Sequence, residues 1–336
     1  MYDALQIRLT EVGESFYNPL IPSTIDELQQ AGVVQVEDKL LLIKLDHFDF
    51  PLILRKSDGG YGYDSTDMAA LKYRLQTLNR DWLIYITDAG QGSHFHKCFD
   101  VARAVGWADK GQKLDFIGFG VVCGNDGKKF KTRSGDTVRL IDLLNEARDR
   151  MYASLVSRAE EKKTSLSEEE LKSSASAIGY GAVKYFDLKQ NPVSSYVFSY
   201  DRMLDTKGDT AVYLLFAYAR VASILRKAEE EKGADLSAMS FEQLVKALVL
   251  GHPAERVLAF EILQFAEVVK SAVLETMPNR ICDYLKELSV KFTDFVTKCQ
   301  VLNSDEFHSR LMLCEATRQV MLKCFELLGI NALDRI

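Results

Sequence analysis

Three groups of polar residues in this chain have the types and spacing to do chemistry. The densest lies in residues 128–140, KKFKTRSGDTVRL. There Lys128, Lys129, Lys131, Arg133 and Arg139 surround a single acid, Asp136, although the whole chain carries a formal net charge of -6. The segment Lys129, Phe130, Lys131, Thr132, Arg133, Ser134 suits a triphosphate: its cations would hold the oxygens and neutralise charge as pyrophosphate departs. Gly135 would let such a loop open and close. The plainer alternative is a solvated basic hairpin. The second group is Tyr63 and Asp67, four apart at the start of an expected helix. If that helix begins early enough, both side chains project the same way. An unpaired carboxylate beside an aromatic face suits a planar cation such as guanidinium. The alternative has Asp67 offsetting the helix dipole while Tyr63 packs. The third group, Gln91 and His94, follows the next strand and would add neutral hydrogen bonds. No G-x-x-x-x-G-K-[ST] occurs, and no G-x-G-x-x-G opens a helix after a strand, so neither a P-loop nor a dinucleotide fingerprint is present.

Strands and helices must position these groups. An apolar run at 51–55 stops at Asp58-Gly59-Gly60 and reads as a strand. Ser65 and Thr66 are candidate caps for a helix whose apolar residues Met68, Leu71, Leu75 and Leu78 keep a 3–4 spacing. DWLIYITDAGQG (81–92) repeats the strand-then-glycine pattern, HFHKCFDVARAVGWA is helical, and LDFIGFGVVCG (114–124) is a third strand. The alternation predicts βαβαβ with a parallel sheet, whose ligands bind beyond the carboxyl ends of the strands. Residues 157–173 are highly charged and read as an exposed helix or hinge. Beyond them TAVYLLFAYARVASILRKAEEE, AERVLAFEILQFAEVVKSAVLETM, ICDYLKELSVKFTDF and RLMLCEATRQVMLKCFELLG predict a bundle of five or six helices, in which Tyr213, Phe216 and Tyr218 are core by default.

With 336 residues, 47% of them hydrophobic, the chain is long enough for two domains. No window reaches a membrane span, and the first residues lack the basic and apolar regions of a signal peptide. The six cysteines form no C-x-x-C, which predicts a reducing compartment and no zinc site. A cytoplasmic protein is expected.

Read together, YDALQIRLTEVGESFY, KSDGGYGYDSTDMAALKYRL, IYITDAGQGSHF, GFGVVCGNDGKKFKTRSGDTVRLIDLL, YGAVKYFDL, YVFSYDRML and GDTAVYLLFAYAR resemble arginyl-tRNA synthetases, a class I family, in the family's order. The resemblance implies α/β plus all-α architecture. A partial class I Rossmann-type parallel sheet would occupy 1–156, a charged linker and helical junction 157–205, and a helical anticodon-binding domain 206–336. It implies arginine–tRNA ligase activity with L-arginine, ATP with Mg2+, and tRNA-Arg as partners, in a monomer. Tyr63, Asp67 and Gln91 match positions contacting arginine, Asp67 being the guanidinium partner, with His94 a further active-site candidate. KFKTR matches the class I Lys-Met-Ser-Lys-Ser loop, Thr132 falling near the second lysine. Tyr213 and Phe216 match aromatic positions facing the anticodon, where unpaired bases stack on rings. His47, His94, His96, His252 and His308 do not form the class I His-x-Gly-His signature. The family's first Rossmann half is expected before Tyr2, in a missing N-terminal half or a partner chain. The chain alone is therefore expected to charge tRNA poorly, with an exposed sheet edge and apolar face. Val296, where the family has tyrosine, and Ile336, in place of a terminal methionine, are departures at anticodon-facing positions. A non-catalytic tRNA-binding or regulatory relative, or an assembly module, is the alternative.

Overall fold

A computed structural model describes residues 1–130, 138–161 and 166–336. These divide into two compact units, one of Leu9–Val121 with Pro192–Ser195, the other of Met1–Arg8, Val122–Asn191 and Tyr196–Ile336.

The first unit contains α1 (Ile21–Gln30), β1 (Gln35–Glu37), β2 (Leu40–Ile43), β3 (Leu52–Arg55), α2 (Tyr63–Lys72), β4 (Trp82–Asp88), α3 (Gly92–Ala104) and β5 (Lys113–Phe119). β4 and β5 are parallel and in register from Trp82↔Lys113 to Asp88↔Phe119, as the β–α–β alternation predicts. The expected third parallel strand is placed differently. β3 pairs antiparallel with β2, which pairs antiparallel with β1, so among the described residues the parallel sheet has two strands. The partner of β3 comes from 36–50, a stretch whose two-residue turn has positive φ at both Asp38 (45°) and Lys39 (69°). That is the type I′ geometry of tight hairpins, here without the glycine that usually marks it.

The core of this unit gathers Leu28, Leu52, Leu54, Met68, Leu71, Leu75, Cys98 and Phe99 between sheet and helices. Alternation along β4 turns Leu83 and Tyr85 inward, and leaves Ile84 and Ile86 at 43% and 63% exposure. A parallel sheet is ordinarily covered on both faces, whereas within this unit one face of β4 stands open. Gly118 has no room for a side chain, since a Cβ there would meet Ala89 Cα at 2.7 Å. Its bareness lets the turn after β4 lie against β5.

The second unit holds β6 (Val122–Cys123), α4 (Leu140–Glu160), α5 (Glu168–Leu188), β7 (Tyr196–Val197), α6 (Tyr200–Met203), α7 (Ala211–Lys232), α8 (Phe241–Ala247), α9 (Pro253–Leu263), α10 (Phe265–Glu275), α11 (Asn279–Lys298) and α12 (Phe307–Leu327). Six described helices beyond residue 206 meet the expected number. The single long helix expected over 254–277 is two, broken at Gln264. α7 starts at Thr210, whose hydroxyl accepts from Tyr213 N at 3.1 Å, and stops at Gly233 with φ 61°, the left-handed terminus that glycine permits. Phe292, Phe295 and Phe325 are fully buried in one cluster shared by α5, α7, α11 and α12, each stabilising by about 1.5–3 kcal/mol. Arg310 is paired with the buried Glu255 at 2.6 Å.

α4 and α5 pack with their backbones close. A Cβ on Gly179 would lie 2.7 Å from Arg148 N and 2.8 Å from its Cα. Gly179→Ala is therefore expected to destabilise the helical unit by about 1–3 kcal/mol, the range for overpacking a tight core. Urea unfolding followed by far-UV circular dichroism measures it, and an unchanged midpoint would contradict the close packing.

Candidate functional site

The clearest concentration of partly buried charge in the first unit lies between α2 and α3. Gly62 carries the chain into α2 from an extended conformation. Ser65 pins the helix to β3, donating to Leu54 O at 2.6 Å, and its oxygen accepts from Gly62 N at 3.3 Å. The helix thus starts at Tyr63, before the expected Ser65–Thr66 cap, and both Tyr63 and Asp67 are helical. Asp64, Asp67 and Tyr63 lie within one turn of each other along α2.

Asp64 is nearly buried. Its Oδ2 accepts from Ile53 N at 2.6 Å, and its Oδ1 lies 3.1 Å from His94 Nδ1. That last contact is an ion-pair distance, without the alignment of a hydrogen bond. Asp67 Oδ2 lies 2.7 Å from His94 Nε2. The Tyr63 ring, 66% exposed, stands edge-on to the His94 ring at 4.9 Å between centroids. Cys98 Sγ, one turn further along α3, is 3.8 Å from Nε2.

Two expectations are corrected here. Asp67 is not an unpaired carboxylate: one oxygen is held by His94, while Oδ1 makes no hydrogen bond with the described residues. His94 is not a neutral donor either. Burial opposes its charge, but Asp64, then Asp67, then Cys98 outweigh burial and raise its pKa to about 12. The physical cause is plain, since carboxylates only accept hydrogen bonds and two of them flank one ring. Asp64 was missed by sequence reasoning. Its i,i+3 spacing from Asp67 was legible, but its tie to the β3 backbone was not. Gln91 sits at the N-cap of α3, one turn before His94, with an exposed side chain.

In the second unit the basic segment begins as a hairpin. Gly124 N donates to Lys128 O at 2.8 Å and Phe130 N to Val122 O at 2.8 Å, around Gly127 with φ 73°. Lys129 is exposed, whereas the Phe130 ring packs on Phe198 at 4.9 Å. Lys131, Thr132, Arg133 and Ser134 lie outside the described residues. Tyr213 and Phe216, on α7, are half-buried against the helical cluster. The Tyr213 hydroxyl is 3.5 Å from Thr293 Oγ1, and the Arg158 guanidinium covers Phe216 at 4.5 Å from its centroid. Val296 packs against the same cluster. Among the described residues no group of three His, Cys, Asp or Glu is placed to hold a metal ion, and no helix is long and apolar enough to cross a membrane.

A β–α–β unit with a charged site on its helices, followed by a helical unit, is compatible with many functions, and sequence families decide among them. The model for the catalytic domain of class I (R) tRNA synthetases matches residues 1–200, and that for the DALR anticodon binding domain matches 214–336. The chain belongs to the class I (R) tRNA synthetase family. It is 47% identical to the cytoplasmic arginine–tRNA ligase of Arabidopsis thaliana, covering 100% of this chain and 56% of that protein. It is 44% identical to the arginine–tRNA ligase of Nostoc punctiforme, covering 100% of this chain and 58% of that one. Among solved structures it resembles the arginyl-tRNA synthetase of Plasmodium falciparum, with a TM-score of 0.88 at 35% identity over 100% of this chain and 56% of the other. The Thermus thermophilus arginyl-tRNA synthetase shares the fold at a TM-score of 0.80 and 20% identity, over 99% of this chain and 61% of the other. The chain thus spans little more than half the length of the relatives it matches.

Proposed function

We propose that this chain serves ATP-dependent attachment of L-arginine to tRNA-Arg, supplying the guanidinium site and a helical surface for the tRNA. The observation that carries the reading is the Asp67–His94–Asp64 cluster beside Tyr63, a site of one net negative charge suited to one planar cation. Asp67 Oδ1 accepts from the guanidinium, Tyr63 covers it, and Gln91 adds a neutral hydrogen bond from the neighbouring turn. The arginine carboxylate attacks the α-phosphate of ATP and pyrophosphate leaves. The arginyl group then passes to a ribose hydroxyl at the 3′ end of the tRNA, releasing AMP. Lys129, with Lys131 and Arg133, balances charge on the triphosphate, and the Ser134 hydroxyl donates to it. The described residues offer no site of their own for Mg2+, so no step is assigned to it. The Arg158–Phe216 pair and Tyr213 fit an RNA surface, where cations meet phosphates and rings meet bases. A cytosolic setting fits the six free cysteines, and we take the working form to be a monomer.

The test is aminoacylation of tRNA-Arg with labelled arginine and ATP. It is run with the chain alone and with a chimera carrying the additional length of the Arabidopsis relative. The expected result is charging by the chimera, abolished by Asp67→Ala, with much slower charging by the chain alone. No charging in either form, with tRNA still bound, would replace this reading by a non-catalytic tRNA-binding role.

A further inference from the structure

We propose that His94 is a positioning residue, clamped between Asp64 and Asp67 so that one chosen oxygen of Asp67 faces a guanidinium ligand. The inference rests on the arginine reading of this site. Both ring nitrogens face a carboxylate: Nε2 hydrogen-bonds Asp67 Oδ2 at 2.7 Å, and Nδ1 lies at ion-pair distance, 3.1 Å, from Asp64 Oδ1. Asp64 is itself fixed to the sheet through Ile53 N at 2.6 Å. The chain of contacts runs from β3 through Asp64 and His94 to Asp67, and it fixes the carboxylate that α2 would otherwise leave free to rotate. Only Oδ1 of Asp67 remains for a ligand.

The same geometry sets the charge. Two carboxylates within ion-pair distance of one ring favour its protonated form, so two carboxylates and one imidazolium leave one net negative charge. The remaining titratable groups around the ring are Tyr63 on α2, Cys98 on α3 and, from β4, Tyr85, which is coupled to Asp67 and Cys98. None of these replaces the imidazolium. Without it, Asp64 and Asp67 become neighbouring like charges with no cation between them. His94 thus keeps Asp67 aimed.

The experiment is calorimetric titration of L-arginine into the 336-residue chain at about pH 5.5 and about pH 8, spanning the titration of a free imidazole. Wild type is expected to bind equally at both. His94→Ala is expected to bind about ten-fold more weakly at both, the value of one charge-assisted hydrogen bond. His94→Gln retains one N–H for Asp67. It should recover most of the affinity at both pH values, and it serves as the working variant where His94→Ala does not fold. A loss in His94→Ala without rescue by glutamine would show a merely structural role and overturn the proposal. Wild-type affinity in His94→Ala, with binding lost in Asp67→Ala, would overturn it while leaving the arginine reading intact. A wild-type chain that takes no arginine, or an Asp67→Ala chain that binds it normally, would overturn the reading itself.

Discussion

Asp67→Ala is expected to weaken L-arginine binding by about 10- to 150-fold, since a hydrogen bond to a charged partner is worth about 1.5–3 kcal/mol. The substitution removes the carboxylate and also strands the Nε2 proton of His94, which loses its partner at 2.7 Å. Tyr63 cannot compensate, because an aromatic face attracts a cation far less than a carboxylate does. Asp67→Asn keeps the volume and one acceptor but loses the charge, and should fall between alanine and wild type. The loss should be specific to charge. Citrulline has the shape of arginine without its positive charge, so wild type should prefer arginine strongly and the alanine variant should discriminate little. Competition between the two ligands, read by calorimetry, checks this. Equal preference in wild type would remove Asp67 from the guanidinium role.

The basis for that prediction was only partly legible in the sequence. The four-residue spacing of Tyr63 and Asp67 placed both on one helix face, and the structure supplied the early helix start that this required. What the spacing could not show was the partner of Asp67. His94 lies 27 positions on, and only the packing of α3 against α2 brings it to hydrogen-bonding distance. The same holds for β3. Its apolar run identified a strand, but strand partners are chosen by side-chain burial and turn geometry, not by the run itself. The Asp38–Lys39 hairpin carries none of the usual glycine signal, so the antiparallel pairing stayed hidden. Along 254–277 the apolar spacing continues across Gln264, and nothing local announces the break there. By contrast, Phe292 and Phe295 in α11 recur at a strict helical spacing and are wholly buried, because periodicity reports burial directly.

The rigidity that aims Asp67 should also be visible as stability, and Asp64→Ala is expected to destabilise the first unit by about 3–5 kcal/mol. That is the range for removing one partner of a buried ion pair, and here both partners are well shielded, with side-chain exposures of 12% for His94 and 10% for Asp64. The variant also frees Ile53 N from its acceptor. Asp64→Asn keeps that acceptor and should recover part of the loss. The pH dependence follows from the direction of the His94 shift. Its folded pKa is raised from 6.5 to about 12, so folding takes up a proton between those values. The stability it confers is complete below about pH 6.5 and drains as the pH rises toward about 12. Tyr85, raised by burial from 10.0 to about 12, drains stability in the same direction at the alkaline end. Both tryptophans of the chain, Trp82 and Trp107, belong to the first unit, so their fluorescence in urea follows that unit alone, while far-UV circular dichroism is dominated by the helical one. Wild type should lose stability by the tryptophan signal as the pH rises from neutral, and His94→Gln should lose much less. A tryptophan-detected midpoint that is flat with pH in wild type would mean that His94 carries no excess proton in the fold. The charge balance assigned to the site would then be wrong.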